Sequence, residues 1–184
     1  MAGGGTILVA YATWGGSALR IAEAVGDALA AEGLAADVRA AADVRDLSRY
    51  AGVILGTPLQ AGRLHGDTHA FVTRHEAALS ERPLALFVVC LTSKADTPEN
   101  RSRAEASLTD LWRDHPDARP LSIGFFCDAP RPDEAALQRL PFARRIRYKH
   151  MKPAGADYGD WDDLRTWVSE ARGRLVSTTA KKEA

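Results

Sequence analysis

The stretch Ala12-Thr13-Trp14-Gly15-Gly16-Ser17-Ala18 holds the residues best suited to seat an anion. It follows an apolar run and precedes an amphipathic one, so it reads as a strand-to-helix turn. Gly15 and Gly16 let the backbone turn tightly and approach a ligand closely. The amides at the helix start, aligned with the helix dipole, favour negative charge. Ser17 either caps the helix or spends its hydroxyl on a phosphate. Taken alone, an ordinary tight turn explains these glycines equally well. Other phosphate-binding patterns do not fit. The chain has no GxxxxGK[ST], and Gly3-Gly4-Gly5 lies before the strand rather than after it.

Two further turns extend the pattern. Thr57-Pro58-Leu59-Gln60-Ala61-Gly62-Arg63 offers a proline and small residues, suited to a rigid wall against a flat ring. Leu91-Thr92-Ser93-Lys94 adds two hydroxyls and a cation. Each is weak alone; three such turns on one sheet edge are stronger. No residue pair has the spacing of a catalytic acid and base, so no catalytic residue is assigned. His65 and His69 lie four apart with Asp67 between them, but no third ligand follows at a defined spacing, so no metal site is expected. His65 is more interesting as a neighbour of a substrate. Cys90 and Cys127 form no CxxC pair and read as buried structural residues near the ends of adjacent strands.

The elements that must position these turns alternate. Apolar runs at Thr6–Ala12, Gly52–Gly56, Leu84–Leu91 and Leu121–Cys127, with the less apolar Ala36–Ala40 as second strand, predict five strands. Amphipathic stretches predict helices over Ser17–Glu32, Asp67–Leu79, Glu99–His115, Ala135–Tyr148 and Asp160–Leu175, with a short helical turn over Asp43–Tyr50. On Asp67–Leu79 the helical spacing picks out Ala70, Phe71, Arg74 and Ala78. Asp160 is placed as a helix cap, and Trp161 as packing. Strands separated by helices imply parallel strands with right-handed crossovers, the α/β class. In such a sheet, ligands sit beyond the carboxyl ends of the strands, where the strand order reverses.

The 184 residues suffice for one domain, placed at 6–176 with flexible termini at 1–5 and 177–184. Lys plus Arg and Asp plus Glu number 24 each, so global charge argues for neither nucleic acid nor an acidic partner. No targeting signal or apolar run of membrane-spanning length is visible, and two cysteines suit a reducing cytoplasm. Between Arg139 and Lys152 lie six basic residues and no acidic one, interleaved with Phe142, Ile146, Tyr148 and Met151. That segment is either a contact for anionic lipid, tetrapyrrole carboxylates or a redox protein, or a solvated helix face. The sequence does not fix the oligomeric state.

At this point the chain resembles a known family. YATWGGSALRIAEAV is similar to the flavodoxin phosphate loop and first helix. GVILGTPLQAGRLH resembles the second loop of the flavodoxin-domain branch that includes menaquinone-dependent protoporphyrinogen IX dehydrogenase, and GDWDDLRTWV resembles its last helix. The likeness runs from about Thr6 to Leu175. It implies a flavodoxin-like three-layer α/β/α sandwich with a five-stranded parallel sheet of order 2-1-3-4-5. It also implies noncovalent FMN, and electron transfer from a reduced small molecule, with protoporphyrinogen IX the leading candidate, to a quinone-like or protein acceptor. By position, Thr13, Trp14, Gly15, Gly16, Ser17 and Ala18 would hold the phosphate. Pro58, Leu59, Gln60, Ala61 and Gly62 would flank the ring, and Leu91, Thr92, Ser93 and Lys94 would close its other side. Two positions depart from the family pattern: Ala18 stands where threonine is usual, and Gln60 where an aromatic residue is common. A carrier without its own substrate pocket and a flavin-free scaffold are the competing readings. The implied partners are a tetrapyrrole or quinone-like small molecule and no nucleic acid. The expected place is the cytoplasm, peripheral to the membrane if the basic segment binds lipid.

Overall fold

The computed structural model describes residues 5–90, 98–126 and 161–182. Leu91, Thr92, Ser93 and Lys94, Cys127, the expected helix at 135–148, the basic segment 139–152 and Asp160 lie outside the described residues.

The apolar runs become strands β1 (Thr6–Tyr11), β2 (Ala36–Ala40), β3 (Tyr50–Gln60), β5 (Leu84–Cys90) and β6 (Ser122–Phe126), with a two-residue β4 (Arg63–Leu64). The sheet order is β2-β1-β3-β5-β6, and β4 joins β3 off that path. The five long strands are all parallel, in registers that include Val9↔Val38, Val9↔Ile54, Leu55↔Leu86 and Phe87↔Gly124. This is the expected 2-1-3-4-5 order with β4 added.

Alternation along the strands sends side chains to two cores. Leu8, Ala10, Val53, Leu55, Leu86 and Val88 face one cluster, where α2 (Gly66–Ser80) contributes Phe71, Val72 and Leu79, and α3 (Pro98–Asp114) contributes Leu108, Leu111 and Trp112. Ile7, Val9, Ile54, Ala85, Phe87 and Val89 face the other, against Ile21, Ala22, Val25 and Leu29 of α1 (Ser17–Ala31) and Leu164, Trp167 and Val168 of α4 (Trp161–Lys182). Trp161 packs at the edge of this second core, as expected. Both faces of β1, β3 and β5 are therefore covered, which is why these strands read as unbroken apolar runs, whereas edge strand β2 does not. Helix α1 stops where Gly33 takes φ 81° and the amides of Gly33 and Leu34 bond back to Ala30 O and Leu29 O. That is a Schellman stop, with Leu34 packed in the same core as Leu29. No helix among the described residues is long and apolar enough to cross a membrane.

Three sequence expectations need correction. The helical turn over Asp43–Tyr50 is absent; a 3-10 turn covers Ala41–Asp43 instead. Beyond it, Asp46 accepts the Ser48 amide at 3.0 Å, a side-chain turn that competes with helix, while Val44 and Leu47 anchor the segment in the core. On α2, Ala70 and Arg74 are exposed, and the inward face is Thr68, Phe71, Val72, His75 and Leu79. Arg74 instead reaches the Val44 carbonyl at 3.2 Å. The third strand does not end at Gly56 but runs on to Gln60, because β5 pairs with it as far as Leu59↔Cys90.

Candidate functional site

Helix α1 follows β1 and helix α2 follows the β3–β4 hairpin, and the two pack on opposite faces of the sheet. In an open α/β sheet, a ligand crevice is expected where the chain diverges in this way, here at the carboxyl ends of β1 and β3. The ladder between them ends at Tyr11↔Gly56, extended by the Ala12 amide donating to Gly56 O at 2.9 Å. Past that point β3 overhangs. Leu59 pairs with Cys90 on the β5 side, so its pairing with Leu64 puts β4 on the edge that β1 has vacated. Between the two pairings, Thr57 and Pro58 have no ladder partner on that edge among the described residues. Proline is tolerated there because the position calls for no N–H on the open edge.

The first loop forms one wall. Gly16 is the N-cap of α1 in the left-handed region, at φ 85°. Glycine takes that conformation without strain. Ser17 is therefore the first helical residue rather than the cap, and no side chain caps this end. The first intrahelical bond is Arg20 N to Gly16 O, which leaves the Ser17, Ala18 and Leu19 amides outside the helix's own ladder. Gly16 N donates to Thr13 Oγ1 at 2.9 Å, so the threonine hydroxyl braces the loop. Gly15 and Ser17 are buried and Ala18 is fully buried in the core under α1.

The overhang of β3 forms the floor and the other wall. Thr57 and Thr68 are both fully buried, and the Thr68 hydroxyl donates to Thr57 Oγ1 at 2.7 Å. That bond ties the end of β3 to the first turn of α2 and satisfies two buried hydroxyls that sequence reasoning missed. Pro58 is buried, Leu59 and Gln60 are half-buried, and Ala61 and Gly62 are exposed. Ala61 at φ 52° and Gly62 at φ 72° form the two-residue turn of the β3–β4 hairpin. Two consecutive positive φ values match the sheet twist, but alanine is an uncommon residue for them.

His65 links the walls. It caps α2, with Nδ1 accepting the Asp67 amide at 3.1 Å. Its ring meets that of Trp14 with centroids 4.9 Å apart and planes at 44°. A residue of the first loop thus touches the residue that follows β4. Tyr11 stands at the end of β1, where burial, then the Glu23 and Asp43 carboxylates, push its phenol above the usual value and keep it protonated. The structure therefore brings together the first two predicted turns, Thr13–Ala18 and Pro58–Gly62, on one edge. It also gives His65 a capping role; His69 is exposed.

The arrangement can hold an anion against the α1 amides and a flat group against the hairpin. The flavodoxin domain family matches residues 8–129. None of the curated proteins matches the chain in sequence. A mutant flavodoxin from Pseudomonas aeruginosa is similar in structure, with TM-score 0.56 and 15% identity over 93% of this chain and 99% of that one. An oxidised flavodoxin from Bacillus cereus gives 0.54 and 14%, over 92% and 99%. The flavodiiron protein from Giardia intestinalis gives 0.56 and 12%, over 96% of this chain but only 37% of that one. The fold and the match over residues 8–129 agree, and the chain belongs to the flavodoxin domain family.

Proposed function

We propose that the chain binds FMN in the β1/β3 crevice and acts as an FMN-dependent oxidoreductase. The observation that carries the proposal is the meeting, on one sheet edge, of a glycine-started helix with unladdered amides and an overhanging strand that ends in a tight hairpin. A phosphate dianion suits the first, since the amides and the helix dipole favour negative charge without a lysine. A planar ring suits the second. Thr13 to Ala18 would hold the phosphate, Pro58 to Gly62 would border the ring, and Leu91 to Lys94 would close its far side.

A bound flavin supplies one- and two-electron redox chemistry; the protein supplies position, electrostatics and exclusion of water. Electrons would pass from a reduced small molecule to a quinone-like or protein acceptor. Protoporphyrinogen IX is the substrate we propose first, on the resemblance of GVILGTPLQAGRLH and GDWDDLRTWV to the corresponding protoporphyrinogen-dehydrogenase segments. Equal numbers of acidic and basic residues, 24 each, support an enzyme over a carrier that docks through a strongly acidic face. The basic segment from Arg139 to Lys152 is the proposed contact for an anionic membrane surface or a redox partner.

The experiment is a titration of FMN with the purified chain, followed by anaerobic turnover of protoporphyrinogen with a quinone. Quenching of flavin fluorescence with saturation at one equivalent, then turnover, is the expected result. Binding without turnover, but with reduction by a partner protein, reassigns the chain as a carrier. No quenching at all removes the flavin.

A further inference from the structure

The ring end of this crevice has a gap that the phosphate end does not. The hairpin tip carries Gln60, Ala61 and Gly62, so none of these three presents an aromatic face. A flat heteroaromatic group is held in water largely by stacking on such a face. Among the described residues, the rings that join the first loop to the segment after the hairpin are Trp14 and His65. Trp14 is half-buried, between Thr13, which braces the loop, and Gly15, which is buried. His65 is held in place by its bond from the Asp67 amide, and its side chain is 15% exposed.

We infer that Trp14 joins the anion loop through its backbone alone, and that its side chain is the aromatic plate of this site, propped by His65. The inference rests on the FMN reading above and names what replaces the missing ring at position 60. It carries a consequence for recognition. The plate and the anion seat lie on one loop, so a ligand that fills the site must present a flat ring and an anionic group to the same short segment. The two ends nevertheless draw on different atoms. The anion meets backbone amides of Ser17 to Leu19, whereas the ring meets a side chain. Truncating Trp14 should therefore weaken every ligand that carries the ring, with or without the phosphate.

The test titrates FMN and riboflavin separately with the full chain and with Trp14→Ala, Trp14→Phe and His65→Asn, following flavin fluorescence. Asparagine at 65 keeps a helix-capping acceptor and removes the ring. Melting curves establish that each variant is folded. The expected result is about tenfold weaker binding of both flavins by Trp14→Ala, a smaller loss in Trp14→Phe, and a loss between these in His65→Asn. The ratio of FMN to riboflavin affinity stays as in the unaltered chain. Unchanged affinity of Trp14→Ala for both flavins overturns the inference, and so does a loss confined to FMN, which would place the Trp14 side chain at the phosphate. If the unaltered chain binds neither flavin, the FMN reading falls first and takes the plate with it.

Discussion

Replacing Gly56 with alanine should damage the sheet where the crevice begins. Gly56 is the last β3 residue paired with β1 and immediately precedes Thr57 and Pro58. A Cβ there would lie 2.0 Å from Phe87 Cζ, 2.4 Å from Cε2 and 2.6 Å from Cε1. Carbon atoms in contact prefer about 3.5–4.0 Å, so from 2.0 Å the ring or the strand must yield by about 1.5 Å. Phe87 cannot swing into solvent, being fully buried. Its ring neighbours are Phe126 and Trp167, each with its centroid 6.5 Å away, and those two pack edge-on at 5.5 Å. Trp167 is fixed further by its Nε1–H donating to Ser122 Oγ at 3.0 Å. Overpacking of an interior costs about 1–3 kcal/mol, and a braced ring argues for the upper end. For a chain of this size each kcal/mol is worth about 2–4 °C, so the melting temperature should fall by about 6–12 °C. Circular dichroism melts of Gly56→Ala, Phe87→Leu and the double variant measure it. The smaller side chain makes room for the methyl, so the double variant should be less destabilised than the sum of the singles by about 1–2 kcal/mol. A Gly56→Ala melt within a degree of the unaltered chain, or single costs that simply add, would refute the steric account.

The hairpin turn offers the opposite sign. Ala61→Gly relieves a left-handed alanine worth about 1–2 kcal/mol and adds about 0.4–1 kcal/mol of unfolded-state entropy, so it should stabilise by about 0.5–1 kcal/mol in urea unfolding. His75 gives a pH dependence. It is 6% exposed, and burial holds its imidazole below the ordinary 6.5, although its Nε2–H donates to Val44 O at 3.4 Å. The unfolded chain then binds the proton more readily, so stability is full above about pH 6.5 and falls as pH drops below it. His75→Phe should flatten that fall in urea melts between pH 7.5 and 5, and an unchanged slope would remove His75 as its source.

The sequence resolved the fold best where burial was two-sided. The runs in β1 and β5 are apolar on both faces, and no helical period competes with them. Helix α1 was legible for a related reason, since Ala22, Val25 and Leu29 mark its inward stripe and Gly33 its stop. Errors arose where a residue acts against its type. Pro58 looked like the end of a strand, yet it sits on the edge of β3 that has no ladder partner and interrupts nothing. His75, polar by type, is buried against Phe71 with ring centroids 4.8 Å apart, so the inward face of α2 includes a residue that apolar spacing does not pick out. Asp46 and Ser48 look helical by spacing and bond to each other instead.

The candidate site was legible at one end more than the other because its ends are built from different material. The anion end is backbone: a glycine at φ 85° and amides that the helix cannot satisfy. Glycines in a strand-to-helix turn announce such geometry, and the side chains nearby alter it little; Ala18, in place of a threonine, turns into the core without disturbing the helix start. The ring end is side chain, and side-chain direction depends on tertiary contacts that no local spacing encodes. Gln60 therefore looked like a missing wall, while Trp14 and His65, about fifty residues apart in the chain, showed no relation until β4 returned along the vacated edge of β3 and set their rings 4.9 Å apart. The backbone end can persist while the ring end is rebuilt, because changing a side chain leaves the helix start intact. On that account, divergence within this fold should alter ring preference before it alters preference for the anion.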